Sequence, residues 1–191
     1  NILEKVMNKF KGTGLNPVVA FELEFYLLDK KRNKEGKPVP ALGASKTHVY
    51  GIPDLDMFGD LFNEINENCK IQDIPATTAS SEFAAGQYEI NLKHTSDLLK
   101  AADDAAMLRR IIKETTAKHG FEATFMAKPF LEETGNGMHL HISVYDDDGK
   151  NIFATKNRYG NDKLKNALAG FQETFYDSFP IFIPNRNGYR R

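Results

Sequence analysis

Apolar residues recur along this chain with two distinct periods. Ile2, Leu3, Val6, Met7 and Phe10 fall at helical spacing, so residues 2–11 read as a helix ended by Gly12 and Gly14. Residues 17–29, rich in Val, Phe and Tyr, read as a strand. Residues 30–47 are charged and carry Gly36, Pro38, Pro40 and Gly43, which predicts a long loop. Asp54 is placed to cap a helix whose stripe is Leu55, Phe58, Leu61, Phe62, Ile65 and Cys69. Residues 82–93 read as a strand interrupted at Gly86. A long helix from Asp97 to Lys118 carries Leu98, Ala102, Ala105, Leu108 and Ile112 on one face, and His119-Gly120 ends it. Residues 121–127 predict a short strand and 138–145 a strongly alternating one. Asp147, Asp148 and Gly149 turn the chain toward a hairpin partner at 151–154. A last helix over 162–178 should turn Leu164, Ala167, Leu168, Phe171 and Phe175 inward. Strands in mixed order with long helices between them predict an α+β fold: helices packed on one face of a curved, mainly antiparallel sheet.

Composition narrows the function classes. The 191 residues fit one domain, 41% are hydrophobic and 27% charged, as in an ordinary globular chain. A net charge of −1 gives no electrostatic footprint for nucleic acid or an acidic membrane surface. No apolar run approaches the roughly 20 residues of a membrane-spanning helix, and charge interrupts the opening segment where a signal peptide would be apolar. Cys69 is the sole cysteine, which excludes an internal disulfide and makes a cytoplasmic setting the default.

Candidate chemistry lies in three segments. In the first strand Val19, Phe21, Leu23, Phe25 and Leu27 share one face, while Glu22 and Glu24 share the other with Val18, Ala20, Tyr26 and Leu28. Two carboxylates roughly 7 Å apart on an otherwise apolar strand call for positive charge, because an unpaired buried carboxylate costs several kcal/mol. Arginine partners or an exposed edge would answer that equally well. The second segment, Glu82 to Leu92, adds Glu82 and Glu89 around Gly86, and a solvated strand face explains it as readily. In the third, a loop with Gly135 and Gly137 enters a strand on which His139, His141 and Ser143 share a face. Together the segments offer four glutamates and one or two histidines to one sheet face. Oxygen-rich sets of this kind favour Mg²⁺ or Mn²⁺ and commonly serve nucleotide phosphates. With no Walker loop and no GxGxxG, metals and arginines would hold the phosphates.

The ordered stretches FELEFYLLD, SEFAAGQYEI, KPFLEETGNGMHLHISVYDDDGKNIFA and PNRNGYRR resemble the catalytic domain of glutamine synthetases along nearly the whole chain. The stretches LNPVVAFELEFYLLDKKR, GQYEINLKHT, KHGFEATFMAKPF and NRNGYRR look closer to the gamma-glutamylpolyamine synthetases. That likeness implies an ATP-dependent ligase joining the γ-carboxylate of L-glutamate to ammonia or an amine, putrescine-like amines favoured, through a γ-glutamyl phosphate. It implies that Glu24, Glu82 and Glu89 hold a first metal and Glu22 and His139 a second. His141 and Ser143 match positions beside the nucleotide, Gly135 a glutamate-contacting loop, and Arg191 an arginine meeting the glutamate carboxylate. Tyr50 loosely matches a tyrosine near the incoming amine.

Thr134 stands where an asparagine is usual, and Ala85 where the polyamine branch commonly has proline. Neither removes a metal ligand. The family pattern also leads us to expect a partial catalytic domain over 1–191, without the N-terminal β-grasp domain and the C-terminal part, and therefore inactive alone. The parent would be a large homo-oligomer with sites shared between subunits. Two competing readings keep the fold: a non-catalytic structural module, and a guanidino kinase, which would need a reactive cysteine where Cys69 sits on an apolar stripe.

Overall fold

The computed structural model describes residues 2–41 and 50–191. Of the expected loop at 30–47, residues 42–47 lie outside the described residues, and 30–41 form no helix or strand beyond a single bridge of Leu28 to Pro40.

The long strand β1 (Asn16–Asp29) organises the sheet. On one edge it pairs antiparallel with β3 (Gln87–Leu92), from Glu22 opposite Asn91 to Tyr26 opposite Gln87. β2 (Ala76–Ser81) lies beyond β3, also antiparallel. On the other edge β1 carries two partners end to end. β5 (Met138–Tyr145) runs along residues 16–23, and β4 (Phe121–Thr124) along residues 26–29. All ladders are antiparallel, as expected.

Alternation along β1 sends Leu23, Phe25 and Leu27 into the main core. There they meet Leu61, Ile65 and Cys69 of α3 (Gly59–Ile71) and Ala105, Leu108, Ile111 and Ile112 of α4 (Leu98–Lys118). Each buried leucine, isoleucine or phenylalanine among them contributes about 1.5–3 kcal/mol through area removed from water. The Asp97 carboxylate caps α4 by accepting from Lys100 N at 3.0 Å. Burial pushes the Cys69 thiol up to about 11, so this cysteine is a core residue and the kinase-like reading loses its nucleophile.

Several expectations are corrected. The helix expected from Asp54 onward is two helices, α2 (Ile52–Met57) and α3, and Asp54 sits in the first turn of α2 rather than capping it. The break falls at Phe58, whose ring is buried edge-on against Tyr88 and Phe121. The strand expected over 82–93 begins only at Gln87; residues 82–86 turn the chain back from β2, which its polar sequence ATTASS concealed. Gly86 adopts φ 73, a conformation that glycine alone reaches without strain. β4 stops at Thr124, and the expected hairpin partner at 151–154 is a single bridge of Tyr145 to Asn151.

The ends of the chain are corrected as well. α1 (Ile2–Phe10) and α5 (Asp162–Phe182) contain no buried residue. Leu164 and Phe175 are half-buried, but Ala167, Leu168 and Phe171 are exposed rather than inward. α3 lies against β2, and α4 against β1 and β4. Met138, Leu140 and Ile142 of β5, on the same sheet side as Leu23, Phe21 and Val19, stay 65%, 47% and 55% exposed.

Candidate active site

Directly opposed residues in an antiparallel ladder project from the same face. Register therefore assembles the site. His139 faces Glu22, which faces Asn91; Glu89 faces Glu24 on one side and Ser80 on the other; His141 faces Ala20 and Ser143 faces Val18. In a continuous strand Glu82 and Glu89, seven residues apart, would point to opposite faces. The turn at 82–86 removes that conflict: Glu82 follows β2 two residues after Ser80, and its amide donates to Gln87 O at 2.8 Å.

Glu22 lies between two imidazoles, with His139 Nδ1 at 3.1 Å from Oε2 and His141 Nε2 at 2.9 Å from Oε1. Partial burial raises its pKa, but the hydrogen bonds and charge of the two histidines outweigh that and hold the carboxyl below its ordinary range. His139 also stands 3.8 Å from both Glu24 Oε1 and Glu89 Oε2. Burial first, then the Glu89 and Glu24 charges, push Glu82 up to about 7. Burial, then Glu22 and Glu24, raise Glu89 as well. The Asn91 side-chain oxygen, opposite Glu22, is buried with no hydrogen-bond donor among the described residues.

Crowded carboxyls that resist ionisation, beside an orphaned carbonyl oxygen, describe a donor set built for positive charge. Carboxylate oxygens with an imidazole nitrogen fit Mg²⁺ or Mn²⁺. Among the described residues, ligand atoms of Glu22, Glu89 and His139 lie within 4.8 Å of one another. This triplet straddles the two metal groups that the resemblance implied.

Substrate-facing candidates gather at the same place. A Cβ on Gly137 would stand 2.9 Å from His139 Nε2, 3.0 Å from Glu24 Oε1 and 3.2 Å from Arg191 Nη2. One on Gly135 would meet Ala127 O at 2.5 Å and Arg191 Cγ at 3.0 Å. Ser143 is half-buried on the face of the two histidines. Tyr50 is 70% exposed, and its backbone amide donates to Ser81 O. Sequence reasoning missed the buried polar group formed by Tyr26, Gln87, Thr134 and Asn136 behind Glu24. Its one signal was a glutamine two residues before Glu89, in a strand whose buried positions are otherwise Tyr88, Ile90, Leu92 and Glu89 itself.

A family model described as glutamine synthetase, catalytic domain, matches residues 1–191. The chain belongs to the glutamine synthetase family. It is 42% identical over 197 residues to gamma-glutamylputrescine synthetase PuuA of Escherichia coli (strain K12), covering all of this chain and 42% of that protein. It is 36% identical over 200 residues to glutamate–isopropylamine ligase of a Pseudomonas species, again covering all of this chain and 42% of the relative. Among solved structures, a GmaS/ADP complex superposes with a TM-score of 0.83 at 27% identity, covering 99% of this chain and 43% of that one. The chain thus spans about two-fifths of the length of these glutamine synthetase relatives. Among the described residues no helix is long and apolar enough to cross a membrane.

Proposed function

We propose that the protein carrying this chain is an ATP-dependent ligase that joins the γ-carboxylate of L-glutamate to an amine, with putrescine-like polyamines as preferred acceptors. The observation that carries this reading is the convergence of Glu22, Glu24, Glu89 and His139 on one sheet face next to Arg191, with Glu82, just past the end of β2, feeling their charge. Likeness to proteins named for putrescine and isopropylamine favours an amine over ammonia as acceptor.

In this reading the γ-carboxylate oxygen attacks the γ-phosphorus of ATP and ADP leaves. The amine nitrogen then attacks the acyl carbon of the γ-glutamyl phosphate, and phosphate leaves as the nitrogen sheds a proton. Divalent cations, when bound, supply charge neutralisation on the phosphate oxygens. Glu24, Glu82 and Glu89 would hold one cation, Glu22 and His139 another. Glu22 suits that task because its histidine neighbours keep it ionised. His141 and Ser143, on the same face as His139, would lie beside the nucleotide. Arg191 would offer a positive fork for the substrate carboxylate, over glycines 135 and 137 that leave room for it. Residues 1–191 would then be one part of the catalytic domain, in a cytoplasmic oligomer whose neighbouring subunits complete each site.

ADP release tests the reading. The full-length protein with glutamate, ATP and Mg²⁺ should release ADP faster with putrescine than with ammonia. Glutamate-independent release, or none with any amine, would reject the assignment.

A further inference from the structure

Gln87 is 2% exposed and stands directly behind the first acid pair. Its side-chain nitrogen donates to Glu24 Oε2 at 3.1 Å, to Gly135 O at 3.1 Å and to Asn136 Oδ1 at 3.2 Å. Its side-chain oxygen accepts from Thr134 Oγ1 at 2.6 Å and from Ala84 N at 3.3 Å. These five partners fix the amide's sense, since a flipped group would turn its oxygen onto a carboxylate and a carbonyl. Glu24 Oε2 receives a second donor, Gly137 N, at 2.8 Å. That oxygen is therefore committed to the protein. The other, Oε1, points to the cluster, 3.8 Å from His139 Nε2.

We propose that Gln87 is a positioning residue: it locks Glu24 so that a single oxygen faces the cation cluster, and it ties that carboxylate to the loop 134–137 that carries Gly135. Ligand and loop then move as one unit. Asn136 extends the lock by donating to Thr124 O and Met126 O, which anchors the loop to the end of β4. Thr134 extends it in the other direction, because its backbone oxygen accepts from Tyr26 OH at 2.7 Å. What the cluster binds rests on the ligase reading; the lock does not.

The test compares the full-length wild type with Gln87→Met, Thr134→Val and, as a stability control in the core under the opposite sheet face, Ile65→Val. Mn²⁺ is titrated and followed by electron paramagnetic resonance, alongside thermal melts and a crystal structure of the Gln87→Met variant. Gln87→Met should weaken Mn²⁺ binding about 10- to 100-fold, the range for outer groups that orient a ligand. Thr134→Val, which frees only one side of the amide, should weaken it less, and Ile65→Val should leave it unchanged. Loss in Gln87→Met no greater than in Ile65→Val would overturn the proposal. Absence of saturable Mn²⁺ binding by the wild type would count against the ligase reading instead. The crystal structure then still decides the lock: Glu24 displaced from the Gly137 amide supports it, and an unmoved Glu24 overturns it.

Discussion

At the scale of the residue, the dominant fact is the cost of burying carboxyls, to which their mutual repulsion adds. Glu82, at about 7 in the folded chain against an ordinary 4.5, binds its proton more tightly folded than unfolded. Its contribution to stability is therefore fully present below the unfolded value and is lost as pH rises through 7. Cation-free Glu82→Gln should match the wild type in melting temperature near pH 5 and exceed it near pH 8, as read by calorimetry at both. Because a cation must displace that proton, Mn²⁺ affinity of the wild type should climb between about pH 6 and 8, and the Gln variant should lose most of that slope. Gly137 presents the opposite problem, an atom that cannot be added. Its Cβ would crowd His139, Glu24 and Arg191 at once. On the ligase reading, Gly137→Ala should raise KM for glutamate about tenfold, or about 1.4 kcal/mol, while the melting temperature stays near wild type, because the His139 and Arg191 side chains are exposed and can shift away even though Glu24 is held.

Elements respond to packing and capping. Phe58 closes the gap between α2 and α3 and touches Tyr88 of β3 and Phe121 of β4 edge-on. Phe58→Ala should cost about 3–5 kcal/mol in urea unfolding. Asp97→Ala removes the cap of α4 and should cost about 1 kcal/mol. These elements also show what the sequence could reveal. β1, β5 and α4 were readable because each alternates or repeats over many residues with one apolar face. β2 was not, because ATTASS has no apolar alternation, and its pairing with β3 depends on a turn that only the backbone angle of Gly86 discloses. The break at Phe58 was hidden because the apolar stripe continues through it. Of the site, Glu22, Glu24, Glu89 and His139 could be placed from strand period and family likeness. Gln87 could not, because a buried polar residue is recognised by its partners, and all of them but Ala84 lie 47 to 63 positions away.

At the scale of the whole molecule, the helices shelter only part of the sheet. Met138, Leu140 and Ile142 on β5 and Leu168, Phe171 and Phe182 on α5 are half or more exposed, apart from Leu140 at 47%. The 191-residue polypeptide prepared alone should therefore bind an apolar dye and self-associate, and Leu140→Lys with Ile142→Lys should reduce both, as read by light scattering. The position of β5 also sets an order of events. Glu22 and His139 are 117 residues apart and meet only through the β1–β5 ladder. Closing so long a loop is slow compared with forming α4 or the β2–β3 hairpin. β1 and β3 can bring Glu24 and Glu89 together without β5, and the cluster is completed only when β5 adds the histidines. A paramagnetic ion at that cluster becomes a clock for the last step of folding: during refolding in Mn²⁺, uptake of the ion should lag behind the helical signal of α4 and coincide with protection of the β5 amides from exchange.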